Sequence, residues 1–341
     1  MPIVASRFRP PFFLRNGHLQ TILPAFLQPI GRVTFEPERL ELEDGDFLDL
    51  DWVRTGADKV AVFTHGLEGS SKDANAQGLM ACLVSKGWDL LAWNFRGCGC
   101  DLNRLARFYH SGETGDLNTV MQLVATKYSR IALIGVSLGG NVILKYLGER
   151  IPHPSIAAAV AVSVPVDLAS SAAALDRRWS NRIYLNRFIK SLVSKVEKKA
   201  LRFPDQFDLA GLRSIRTFKE FDERYTAPIH GFRDAADYWE QSSSRRYLGE
   251  ITLPTLLLSA RDDPFLTSEC FPFADAERNA NLFLETPRSG GHVGFIDLTT
   301  RLERWWERRA AEFLTWVEEH KGDRPEQAKQ QACGWPTEVQ M

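Results

Sequence analysis

The stretch R-I-A-L-I-G-V-S-L-G-G-N-V-I-L-K-Y-L, residues 130–147, decides the fold. Its first part is a short, nearly continuous apolar run, the pattern of a strand covered on both faces. Its last part reads as an amphipathic helix. Between them stands Gly135-Val136-Ser137-Leu138-Gly139, a G-x-S-x-G pattern followed by Gly140. A serine on so sharp a turn projects its oxygen outward. Side chains two residues to either side would collide there, so glycine is required. The helix that follows aims its N-terminal dipole at negative charge developing on the serine. Ser137 is therefore the candidate nucleophile, and the motif stands in the strand–turn–helix setting that it needs.

Working outward, short apolar runs alternate with longer helical stretches. The runs are V-A-V-F at 60–63, L-L-A-W at 90–93, I-A-L-I at 131–134, A-A-A-V-A-V at 157–162, T-L-L-L at 255–258 and L-F-L at 282–284. This rhythm predicts an α/β chain with a mainly parallel central sheet flanked by helices. Before it, residues 38–53 alternate apolar and acidic around Asp44-Gly45, which predicts an antiparallel hairpin. Residues 167–248 break the rhythm. They are helix-like, basic and aromatic without a strand pattern, so they read as a helical cap inserted between two core strands. Their basic residues are expected on a solvated helix face. The expected organisation is an N-terminal segment (1–33) packing on the core, a core of 34–166 and 249–320, the cap (167–248), and a polar tail (321–341). A closing helix over 301–319 would carry Leu302, Trp305, Trp306, Phe313 and Trp316 on its core face.

A nucleophilic serine needs a base, an acid and donors for the oxyanion. The chain holds seven histidines: His18, His65, His110, His153, His230, His292 and His320. His292, in S-G-G-H-V-G-F after the last strand run, lies on a glycine loop able to bring its imidazole to Ser137. His153 and His320 read as surface residues. His18 is expected to pack beneath the core rather than line a pocket. His65 ends a strand in T-H-G-L-E-G-S-S, residues 64–71, and is expected to shape that loop. The loop would supply one oxyanion donor, the Leu67 N–H, and Leu138 the other. The acid falls in S-A-R-D-D-P-F-L, residues 259–266. Adjacent residues in an extended turn point different ways. Asp263 precedes Pro264, whose fixed φ stiffens the turn that carries the carboxylate, so it is favoured, with Asp262 bracing the loop.

Composition narrows the remaining classes. A net charge of −1 gives no global field for nucleic acid. Five scattered cysteines, Cys82, Cys98, Cys100, Cys270 and Cys333, show no C-x-x-C pair. They read as free thiols in a reducing compartment, not a zinc site or disulfide framework. No apolar run approaches the roughly 18 residues of a membrane span, and no secretory pattern opens the chain. The protein is expected in the cytoplasm, without metal or organic cofactor.

L-R-N-G-H-L-Q-T-I at 14–22, T-H-G-L-E-G-S-S at 64–71, N-F-R-G at 94–97 and Y-H-S-G-E-T-G-D-L at 109–117 accompany G-V-S-L-G-G-N, D-D-P-F and G-G-H-V-G-F. Together they make the chain resemble the α/β-hydrolases, and within them the YheT-like branch of esterases and lipase-like hydrolases. The resemblance spans roughly residues 10–318. It implies the α/β-hydrolase fold and the chain order Ser137, one aspartate of the D-D pair, His292. It also implies ester cleavage through an acyl-enzyme; the cap and its many aromatic residues suggest a partly apolar pocket, so a small carboxylic ester of short- to medium-chain acyl type is expected. Acyl transfer or thioester cleavage by the same residues, and a non-catalytic binding protein on this fold, are the alternatives.

Overall fold

The computed structural model describes residues 3–25, 33–299 and 304–320. The expected tail 321–341 and Leu302 lie outside the described residues, as do 1–2 and 26–32. The strands are β1 (Ile3–Val4), β2 (Glu36–Glu41), β3 (Phe47–Val53), β4 (Lys59–Thr64), β5 (Asp89–Trp93), β6 (Arg130–Val136), β7 (Ile156–Val162), β8 (Thr255–Leu258) and β9 (Leu282–Glu285). They form one sheet in the order β1-β9-β8-β7-β6-β4-β5-β3-β2. From β5 to β1 every neighbour is parallel. The hairpin of β2 and β3 closes the other edge antiparallel, pairing Leu40 with Leu48 across the turn. Each apolar run of the sequence thus lies in a strand. The pairing of β1 along β9, Ile3 beside Leu284, has no counterpart in the sequence reading.

Eleven helices are described: α1 (Gly17–Ile22), α2 (Ala74–Val84), α3 (Thr114–Ala125), α4 (Leu138–Glu149), α5 (Leu168–Arg177) and α6 (Arg182–Ala200), then α7 (Phe218–Phe221), α8 (Ala227–Ile229), α9 (Ala235–Ser242), α10 (Phe273–Arg278) and α11 (Trp305–Glu319). Strand side chains alternate between faces. Val60, Val62 and Leu133 therefore meet α3 and α4 on one side, through Leu117, Val120, Val142 and Ile143. Ala61, Phe63 and Ile134 meet α2 and α11 on the other, through Leu79, Leu83, Trp306 and Phe313. The helices that leave β7 and return to β8 build a separate apolar cluster. Leu185, Ile189, Leu192 and Val196 of α6 pack there on Phe218 and Phe221, with Phe108 and Phe265 from the core elements.

Two lysines of α6 correct the expected solvated face. Lys195 and Lys199 are buried. The Lys195 ammonium donates to Glu68 at 2.6 Å, and Lys199 donates to Asn103 Oδ1 at 2.6 Å and to the Leu105 carbonyl. Their four-residue spacing puts both on one stripe, turned toward the core loops rather than water. The quoted motifs lock to one another as well. Arg96 forks onto Asp116 at 2.8 and 2.7 Å, and the Ser71 N–H donates to Asn94 Oδ1 at 2.9 Å.

Candidate active site

Strand β6 ends at Val136 and α4 starts at Leu138, so Ser137 alone makes the turn. Its φ of 52° and ψ of −122° are costly for a residue with a side chain. The glycines make this geometry possible. A Cβ on Gly139 would lie 2.2 Å from the Thr64 carbonyl oxygen, and one on Gly135 would lie 2.6 Å from the Gly139 oxygen. Asn141, one turn into α4, fixes the helix from inside. Its amide donates to the Ser111 and Ser242 carbonyls at 2.8 Å, and its oxygen accepts from Ser244 N–H at 2.9 Å.

The loop after β9 carries His292 to the serine. His292 Nε2 is 2.9 Å from Ser137 Oγ, and Nδ1 is 2.8 Å from Asp263 Oδ2. A buried carboxylate at Nδ1 holds the proton on that nitrogen, leaving Nε2 to accept from the serine hydroxyl. Asp263 Oδ1 accepts from Phe265 N–H at 2.9 Å, which orients the carboxylate. The Phe265 ring lies 4.2 Å from the imidazole. Asp262 points elsewhere. Its Oδ1 accepts from Gly291 N–H at 2.9 Å, and burial raises its carboxyl above the ordinary range. Leu67 and Leu138 line the same cavity as Ser137 and His292. The Leu138 N–H opens α4, where no helical partner is available to it.

The N-terminal motif has a place that its sequence did not disclose. Asn16 caps α1, accepting from the His18 and Leu19 N–H groups at 3.0 and 3.1 Å. The helix then supports both loops of the site. The Thr21 hydroxyl oxygen accepts from His292 N–H at 2.9 Å. Gln20 donates to the Ile296 carbonyl at 3.0 Å and accepts from Ile296 N–H at 2.7 Å. A Cβ on Gly17 would stand 1.9 Å from the Asp262 carbonyl oxygen, so the contact admits only glycine. His18 does not pack beneath the core. It is half-buried, stacks on Tyr184 of α6 and lies 3.1 Å from its hydroxyl, because α1 lies at the junction with α6 rather than under the sheet. The distinctiveness of L-R-N-G-H-L-Q-T-I was the available signal for these contacts.

His65 bridges two strand ends. Its Nδ1 donates to the Gly66 carbonyl at 2.8 Å and its Nε2 accepts from Phe95 N–H at 3.1 Å. Both nitrogens are occupied, as a loop-shaping residue requires. The neighbouring Glu68 has φ 55° and accepts from Tyr109, Ser191 and Lys195 at 2.8, 2.6 and 2.6 Å. This ties the Leu67 loop to α6.

The cavity above Ser137 encloses about 820 Å³ including its mouth. Leu168, Leu175, Phe188, Leu192, Phe218 and Phe221 make most of its wall apolar. A polar patch also reaches the lining. Asp222, pushed up to about 7 by burial, accepts from Thr226 and Trp239 at 2.7 and 2.8 Å. His110 belongs to the same lining, its ring 4.6 Å from that of His230. Among the described residues, no group of three or more His, Cys, Asp or Glu side chains converges where it could hold a metal ion.

Burial pushes His65 down to about 4, His110 to about 3 and His230 to about 2. The unfolded chain takes up these protons below about 6.5, whereas the folded chain does not. Each histidine's contribution is complete above that pH and is lost as pH falls toward the folded value, by up to about 1.4 kcal/mol per pH unit. Asp222 works in the opposite direction over the same window; Asp73, Asp116, Asp176 and Asp262, which burial raises to a lesser degree, join it only toward the acid end. Urea midpoints should therefore fall from pH 7.5 to pH 5; a flat or rising midpoint would contradict this balance.

The sequence of residues 60–298 matches the α/β hydrolase fold family. YheT of Escherichia coli (strain K12), a candidate esterase by its name, is 36% identical over 323 residues, covering 91% of this chain and 94% of its own. Phospholipase ABHD3 of Bos taurus is 27% identical over 331 residues, covering 94% of this chain and 80% of its own. Among solved structures, the Pyrococcus furiosus esterase Pf2001 superposes with a TM-score of 0.58 at 20% identity, covering 84% of this chain and 96% of that one. That last likeness concerns the fold. The extent of the family match, together with the identity to YheT along nearly both whole chains, means that the chain belongs to the α/β-hydrolase family, in its YheT-like branch.

Proposed function

We propose that this chain is a carboxylic ester hydrolase in which Ser137, His292 and Asp263 act as a catalytic triad. The observation that carries the reading is the unbroken chain of contacts, 2.9 Å from Ser137 to His292 and 2.8 Å from His292 to Asp263, opening into an apolar cavity. Ser137 Oγ attacks the ester carbonyl while His292 Nε2 takes its proton. The charge on the carbonyl oxygen falls to the N–H groups of Leu67 and Leu138. As the tetrahedral species collapses, the C–O bond breaks and His292 protonates the departing alcohol. Water, deprotonated by His292, then releases the acid and restores the serine. The names of the relatives, a candidate esterase and a phospholipase, favour an ester over other acyl compounds.

In this reading residues 167–248 serve as the cap and 34–166 with 249–320 as the catalytic core. The cap's leucines and phenylalanines hold a short- to medium-length acyl chain, in a cavity of ordinary ligand size. A chain-length series of chromogenic esters, run with a fluorophosphonate probe, tests the proposal. Turnover should peak at short to medium chains, with the probe attached to Ser137. A chain that neither turns over any ester nor takes up the probe would instead be a binding protein on this fold.

A further inference from the structure

Residues 1–35 contain no aspartate or glutamate, and neither do residues 177–196. The fold brings these two acid-free segments together, since His18 of α1 stacks on Tyr184 of α6. Large apolar side chains project from both. Phe12 is 80% and Phe13 54% exposed, on a 3₁₀ turn anchored by buried Leu14. Leu19 is 50% exposed on α1, and Trp179 and Ile183 are 87% and 66% exposed at the start of α6. Beside Phe13, Arg15 enters a groove that Arg9, Arg261 and Arg288 also line, with Ser6, Thr286 and Ser289 and without a carboxylate. None of these four arginines makes an ion pair among the described residues.

Four uncompensated guanidinium groups in one groove repel each other and call for an anion. Their planar forks suit phosphate oxygens. Exposed aromatic side chains beside unpaired cations are the composition of surfaces that enter the headgroup layer of a bilayer. A second copy of the chain fits this face poorly, because a two-fold contact would set arginines against arginines. We propose that this face docks on an anionic phospholipid bilayer, the arginine groove taking lipid phosphates and the exposed apolar side chains entering the interface. Arg261 and Arg288 belong to the loops that carry Asp263 and His292, so docking would place the site against the membrane. The docking itself does not depend on the proposed ester chemistry.

Co-sedimentation with phosphatidylcholine vesicles, with and without phosphatidylglycerol, tests it. The chain should bind the anionic vesicles, and added salt should weaken the binding. Arg15→Glu with Arg288→Glu, and separately Phe12→Ser with Trp179→Ser, should each weaken it about ten-fold or more. Turnover of a water-soluble short-chain ester should stay near that of the parent in both pairs, which separates loss of docking from loss of the site. Equal binding to both vesicle types, or binding unchanged in the variants, would overturn the proposal. So would displacement by free inorganic phosphate at unchanged ionic strength, which would mark the groove as a soluble-anion site. A dimer seen by light scattering that either pair dissolves, without vesicle binding, would show that a second copy covers the face.

Discussion

Ser137→Ala should lower kcat for a chromogenic ester by about 10⁴- to 10⁶-fold while leaving the fold intact. The magnitude follows from what alanine removes. Without Oγ there is no covalent path, and His292 can at best activate water from a position set for a hydroxyl 2.9 Å away. The polar donors and the apolar cavity remain, so substrate should still bind and KM should change far less than kcat. The variant should also be at least as stable as the parent. The strain at φ 52° belongs to the backbone and persists, while a half-buried hydroxyl near an imidazole is lost. Thermal midpoint, kcat and fluorophosphonate labelling, measured together, check this. Turnover within ten-fold of the parent in a folded variant would remove Ser137 from the mechanism.

Much of the fold was legible because the central strands are covered on both sides. Val60 to Phe63, Leu90 to Trp93 and Ile131 to Ile134 are apolar at every position, and no helix pattern competes for so short a run. Ser137 was legible for a local reason, since its turn needs glycines on both sides and those stand in the sequence. What stayed hidden was tertiary. Ile3 and Val4 form a strand only because β9, from the far end of the chain, offers an edge. Thr21 and Gln20 look like ordinary helix residues until the His292 loop lies against them. Lys195 and Lys199 read as solvated because charge usually faces water. Their partners are Glu68 and the carbonyls of a distant loop, which no periodicity within α6 could disclose.

Asp263→Asn and Asp262→Asn should separate by about three orders of magnitude in kcat, although the two residues are neighbours and the changes are isosteric. Asp263 Oδ2 receives the His292 Nδ1 proton at 2.8 Å. Its Oδ1 is already committed to Phe265 N–H at 2.9 Å. An asparagine that keeps the Phe265 bond must turn its NH₂ toward His292. The imidazole then carries its proton on Nε2, where it can no longer accept from Ser137, and the charge that would stabilise imidazolium is gone. A loss of about 10⁴-fold in kcat is expected, with substrate binding little changed. Asp262 meets the opposite circumstances. Its Oδ1 accepts from Gly291 N–H, a bond that an amide oxygen can keep, and its other oxygen is buried without a partner among the described residues. Burial already disfavours its charge, so removing that charge should cost kcat less than about ten-fold and leave stability level or improved. The reverse ranking of the two variants would transfer the catalytic acid to Asp262 and contradict the side-chain geometry of the loop.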